Sequence, residues 1–362
     1  MEYQTDVTVH SQVQITNQDN TTTKGRNYTV DAFRLLGAFC IVILHIPSFG
    51  DIPGNTITVI NELCRWAVPF FFLVGGYYFE IGFRSKPEMT FLRRIKSLLS
   101  IFFTSNLVYL VFTLLRRTEP IAILLNTATF LIGTHDHLWF IGSMIFGYIF
   151  LWFMLEINAV KLLPYIAAAV LLIVLLTGGY AHFFLPDNVN FRFSRQLMSI
   201  PFLITGYLFS RYNLIDRLKL WQGIILVLLG VALQALEQNL IFKYSHNPAV
   251  SDLLFGSFLY AAGMFILALK VPMPKNNLIT KLGQEYSLII YLYHPIVISI
   301  YFNLVIPHAK NKGQIALILS PIIVFLITLG GVVILRKYFI GLYRLLTGLP
   351  WRKVRILSPA SR

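Results

Sequence analysis

Apolar runs of about 20 residues, parted by short polar stretches, recur along the chain near 29–49, 59–81, 94–115, 137–155, 163–181, 195–210, 220–240, 251–270, 285–305 and 315–335. As helix, each run is long enough to cross about 30 Å of hydrocarbon, and none shows the alternation of a barrel strand. Lipid offers no partner for free backbone groups, so such runs cross as helices. The pattern predicts an all-α, polytopic membrane protein with about ten transmembrane helices. Residues 1–28, rich in Thr, Gln and Asn, read as a disordered polar tail, residues 29–336 as the membrane domain, and residues 337–362 as a basic interfacial tail.

Composition agrees: 56% of the 362 residues are apolar, 13% are charged, and the mean hydropathy is +0.67, which excludes an ordinary soluble domain. The net charge of +14 invites a nucleic-acid reading, but the position of the cations decides against it. With the N-terminus inside, 21 Lys and Arg fall on the inner side and 7 on the outer. The positive-inside rule then places both termini in the cytoplasm, consistent with a multi-pass protein of the cell (inner) membrane and with no nucleic-acid partner. The polar start shows no cleavable signal peptide. Cys40 and Cys64 fall inside the first two runs without metal-ligand spacing and read as packing residues.

Against this background the polar residues inside the runs carry the candidate chemistry. The first run holds Asp31, Arg34 and His45. Eleven residues are about three helical turns, so Arg34 and His45 leave one face about 16 Å apart along the axis, with Asp31 on the same face. Asp31 and Arg34 can form an i,i+3 ion pair, and His45 is either a satisfied buried histidine or a reactive one. Arg65 in the second run has Glu62 one turn away, or else a ligand near His45. Arg84, Lys86, Arg93, Arg94 and Lys96 cluster on the inner side, as a topology signal or as a clamp for a phosphate-rich ligand such as coenzyme A. His135, Asp136, His137 and Trp139 open the fourth run and either cap it or line an outward pocket; the spacing lacks a full metal-ligand set, so no metal is expected. In the ninth run, Pro295 removes a backbone donor and frees a carbonyl one turn earlier, next to Tyr291 and His294. In depth these residues order as Asp31 and Arg34 low, His294 in the middle, and His45, Arg65, His137 and Trp139 high, forming a polar column.

Taken together, these residues resemble the acyltransferase type 3 family of membrane O-acyltransferases, and more closely its short branch, which includes the enterobacterial common antigen O-acetyltransferase. The family's Asp-x-x-Arg-x10-His signature corresponds to Asp31, Arg34 and His45. Its Arg-x2-Val-Pro-x-Phe-Phe stretch corresponds to Arg65, Val68, Pro69, Phe71 and Phe72, its Ser-Gly-Phe/Tyr element to Gly76 and Tyr77, its His-x-Trp element to His137 and Trp139, and its Tyr-x2-His-Pro element to Tyr291, His294 and Pro295. The chain departs from the pattern at Gly75, where the family has serine, at Lys96, which replaces the second arginine of Arg-x-x-Arg, and at Met144, where longer members carry glutamate.

The resemblance implies acyl transfer, most often of acetyl, from cytoplasmic acetyl-CoA to a hydroxyl of an extracytoplasmic glycan or lipid-linked oligosaccharide within the membrane lipids. Under it, His45 takes the acceptor's proton or carries the acyl group briefly, and Asp31 and Arg34 organise the other end of the stripe. Arg93, Arg94, Lys96 and Arg65 hold the coenzyme, while Trp139, His137, Tyr77, His294 and Tyr291 face the acceptor. A proton-coupled exporter or flippase using the same histidines is the alternative.

Overall fold

The computed structural model describes residues 27–116, 129, 133–184, 194–245, 253–274, 277–308 and 313–348. The polar tail, the interfacial stretch after the third run, Arg192, Asp252 and the last residues of the basic tail lie outside the described residues. No strand occurs among those described. The long helices are α1 (Tyr28–Leu44), α2 (Gly54–Cys64), α3 (Ala67–Ser85), α4 (Pro87–Leu115), α5 (Trp139–Glu156), α6 (Leu163–Thr177), α7 (Ser199–Arg211), α8 (Leu220–Ser245), α9 (Phe255–Lys270), α10 (Leu278–Ile300) and α11 (Ser320–Tyr338). A short α12 (Ile340–Leu346) follows.

Among the described residues seven helical stretches are long and apolar enough to cross a membrane, with α2 and α3 counting as one and α10 extended through His308. This is a multi-pass membrane protein. Helices also occupy the other three predicted runs, but α1, α7 and α9 have only 17, 13 and 16 residues. At 1.5 Å per residue even α1 reaches only about 25 Å. Local sequence sets the ends. Asn27 caps α1 by accepting from the Thr29 and Val30 amides, and Pro47 cannot continue the helix past His45. The helix therefore stops at Leu44, five residues before the end of the apolar run.

The main core is aromatic and lies between α3, α5 and α7, with Phe72 stacked on Phe140 at 4.6 Å. Here α3 and α7 cross backbone to backbone: a Cβ on Gly76 would lie 2.0 Å from the Leu203 carbonyl, and one on Gly206 2.0 Å from that of Leu73. The Gly75-Gly76 pair thus serves packing. A second core joins α1 to α10, Ala38, Val42 and Ile46 meeting Tyr286, Ile289, Ile290 and Ile298. That seam closes at Gly283, where a Cβ would sit 1.8 Å from the Asp31 carbonyl. Because α1 and α10 run parallel from this contact, the C-terminal part of α1 lies beside the middle of α10. The start of the basic tail is docked on the bundle, the Tyr343 hydroxyl donating to the Glu285 carbonyl.

Candidate active site

Four histidines from three parts of the chain meet at the end of α1. The rings of His45 and His294 are 4.9 Å apart between centroids, those of His137 and His294 5.8 Å, and those of His135 and His137 4.9 Å. The predicted depth order is corrected here: His294 is not a separate middle layer but lies against His45, because the Gly283 contact sets the two helices in parallel register. Nor is His45 deep in a helix. It caps α1 and is exposed, whereas His137 and His294 are buried.

Hydrogen bonds fix the proton positions on neutral rings. His45 Nδ1 lies 2.8 Å from the Ile41 carbonyl, which can only accept, so Nδ1 carries the proton and Nε2 the lone pair. His294 Nδ1 is 2.8 Å from the Tyr291 carbonyl and 3.2 Å from that of Ile290. The Tyr291 carbonyl is the one that Pro295, four residues on, leaves without an amide. His294 fills that gap, and its buried Nε2 faces inward with no protein partner. The proline thereby selects the tautomer of its neighbour.

His137 is held by α10 on both sides. Its Nε2 donates to the Leu292 carbonyl at 2.9 Å, and the Tyr291 hydroxyl donates to the His137 carbonyl. Its Nδ1 therefore accepts from His135 Nδ1, 2.9 Å away. The segment before α5 is pinned to α4 by Asn106, whose Oδ1 accepts from the Thr134 amide, and it turns at Gly133, with φ +96, a conformation that favours glycine. Tyr109, also on α4, donates to the Leu292 carbonyl at 2.7 Å and packs its ring 4.8 Å from that of His137. Nothing in the apolar run around Tyr109 distinguishes it from a core tyrosine, so sequence reading passes over it. Among the described residues no group of three His, Cys, Asp or Glu side chains is arranged to hold a metal ion.

The other end of α1 differs. Arg34 lies 3.5 Å from Asp31 in the predicted i,i+3 pair and within electrostatic reach of Arg94 and Tyr78. Arg93, Arg94 and Lys96 sit on the first turns of α4 and line one cavity of 920 Å³ together with Tyr78, Ser97 and Gly348. Arg65 is elsewhere. It pairs with Glu62 at 3.2 Å across the α2–α3 junction and does not line the cavity of Arg93, Arg94 and Lys96. Tyr77 is likewise displaced from the acceptor group: it packs on Phe265 and lines a cavity with Asn27, Tyr28 and Lys270, because α3 carries it away from Trp139. Trp139 stays beside His137 at the start of α5, with Arg195 over its ring at 5.9 Å.

This arrangement sets a cationic cavity at one end of a membrane helix and a cluster of imidazoles, with the buried Nε2 of His294 unpartnered, at the other. Residues 27–337 match the model of the acyltransferase type 3 family, described as an acyltransferase domain, and the chain belongs to that family. It is 25% identical over 311 residues to an amino-acid racemase of Enterococcus faecalis, covering 80% of this chain and 44% of that protein. It is 24% identical over 308 residues to a serine/alanine racemase of Enterococcus gallinarum, covering 81% and 40%. The chain thus spans less than half the length of these two relatives. No solved structure matches it.

Proposed function

We propose that the protein is a membrane O-acyltransferase that moves an acyl group, acetyl by family default, from cytoplasmic acetyl-CoA to a hydroxyl of an extracytoplasmic or lipid-linked glycan. In this reading the chain crosses the inner membrane ten times with both termini in the cytoplasm, and the basic cavity opens inward. The observation that carries it is the two-ended α1, with Arg34 beside the Arg93, Arg94 and Lys96 cavity and His45 about 16 Å further along. Guanidinium and ammonium groups there match the phosphates of the coenzyme. The extended pantetheine arm would lie along α1 and carry the thioester toward His45.

At that end the acceptor hydroxyl gives its proton to His45 Nε2, its oxygen bonds to the thioester carbonyl carbon, and the C–S bond breaks. The thiolate leaves and is reprotonated from the imidazolium. The His45 Nδ1–H to Ile41 bond orients the ring throughout. His294, its buried Nε2 unpartnered and its ring 4.9 Å from that of His45, would accept from a neighbouring hydroxyl of the acceptor. Trp139 supplies an aromatic surface for a sugar ring.

The test is acyl transfer from labelled acetyl-CoA in membranes carrying His45→Ala: label should no longer reach the acceptor fraction, and full retention would remove the assignment. The names of the two relatives favour a second reading, in which the same site handles an amino acid that the bundle carries across the membrane. Amino-acid flux independent of acetyl-CoA would decide for it.

A further inference from the structure

A second polar group lies outside the histidine cluster, between α2 and α8. Glu62, Gln234 and Gln238 are 8, 2 and 7% exposed and line a cleft of 120 Å³, room for about four waters. Cys64, half a turn further along α2, meets Cys40 of α1, which puts the cleft in the same half of the bundle as His45. Both walls belong to membrane-crossing stretches, and two apolar side chains that line the cleft, Val59 and Leu63, are 58 and 44% exposed.

The buried end of the cleft is rich in acceptors, while of the other polar lining residues Thr58 donates its hydroxyl to the Gly54 carbonyl and Asn239 lies at the exposed edge. The Gln234 amide nitrogen is committed to Glu62, donating to its carbonyl at 2.7 Å and to its carboxylate, so Oε1 must face away. That oxygen and Gln238 Oε1 are buried and have no donor. Glu62 is neutralised by Arg65 at 3.2 Å, and neighbouring Glu237 is turned to the Tyr180 hydroxyl and the Gly256 amide. Buried acceptors without donors are costly in hydrocarbon. A ligand here must bring donors and needs no charge: an anion would meet acceptor oxygens, and a cation would find the one lining carboxylate already paired.

We propose that this cleft binds the uncharged, hydroxyl-bearing head group of a membrane lipid, whose hydroxyls donate to Gln234 and Gln238 while its chains lie over Val59 and Leu63. The assignment is independent of acyl transfer, because binding is read without an acyl donor.

The experiment is native mass spectrometry of the full chain in detergent, offered equimolar monoglucosyl diacylglycerol, phosphatidylglycerol and phosphatidylethanolamine, and separately methyl glucoside. The glucosyl lipid should be retained over both phospholipids, and methyl glucoside should not be retained. Gln234→Leu and Gln238→Leu should each weaken the glucosyl lipid about fivefold and leave phosphatidylglycerol unchanged. Equal retention of the three lipids, retention of methyl glucoside at the same concentration, or unchanged binding by a folded double variant overturns the proposal. If the leucine variants do not fold, the wild-type preference and its loss in Val59→Trp, which plugs the mouth from the lipid side, decide it.

Discussion

The two ends of α1 solve the problem of a polar group at membrane depth in opposite ways. At the Asp31 end the groups are charged and paired at 3.5 Å, and Arg34 lies within electrostatic reach of Arg94, which lines a cavity of 920 Å³ with Arg93, Lys96 and Glu88. At the His45 end they are neutral rings, each tied by one nitrogen to a nearby carbonyl. Charge is tolerable where water or a charged ligand can reach it, whereas a buried site is better served by groups that are neutral and hydrogen-bonded. A proton-transfer group belongs at the second end and an anion grip at the first. Each expected outcome below separates the ends further.

The largest effect falls at the neutral end. His45→Ala should lower acyl transfer by about a hundredfold or more, because it removes the only exposed ring of the cluster and with it the base, measured as initial rate at saturating acetyl-CoA. A variant with normal turnover would mean that the lone pair of His45 is not used. Next comes the seam that keeps the ends in register. Gly283→Val drives a side chain into the Asp31 carbonyl and should cost about 1–3 kcal/mol of stability, seen as a lower unfolding temperature in detergent. An unshifted unfolding temperature would show that the seam is looser than its 1.8 Å clearance implies.

At the charged end the signature is different in kind. Arg93→Gln and Arg94→Gln should each raise KM for acetyl-CoA about tenfold with little change in kcat, as expected for lost charge-assisted hydrogen bonds to phosphate. A fall in kcat at constant KM would move these arginines out of the donor grip. The smallest effect belongs to Tyr291→Phe, which removes the donor to the His137 carbonyl. It should destabilise the protein by about 1 kcal/mol and slow transfer only a few-fold. A loss as deep as that of His45→Ala would make Tyr291 a participant in the chemistry rather than a brace.

Particular residues show how far the sequence can be read. The Asp31–Arg34 pair and the freed carbonyl at Tyr291 are local, within one turn of helix, and each is present at the position the sequence predicts. Arg93, Arg94 and Lys96 are three positions on one helix, so their meeting at one cavity is also local. Where reading failed, two helices were involved. The family resemblance groups Tyr77 with Trp139 as facing the acceptor and Arg65 with Arg93, Arg94 and Lys96 as holding the coenzyme, whereas in the bundle Tyr77 packs on Phe265 and Arg65 pairs with Glu62. Tyr109 was invisible because its role lies in a carbonyl of α10, 183 residues away.

By itself the sequence determined that the chain is helical, that it lives in a membrane, and which ionisable groups enter it, since hydrophobic periodicity and the exclusion of unpaired backbone from lipid leave no other solution. Only the tertiary structure decided that His45 and His294 are neighbours and that the Glu62 paired with Arg65 is bound by Gln234 of α8. The reason is that one glycine contact between parallel helices fixes axial register, and register between helices is written in packing rather than along either strand of sequence.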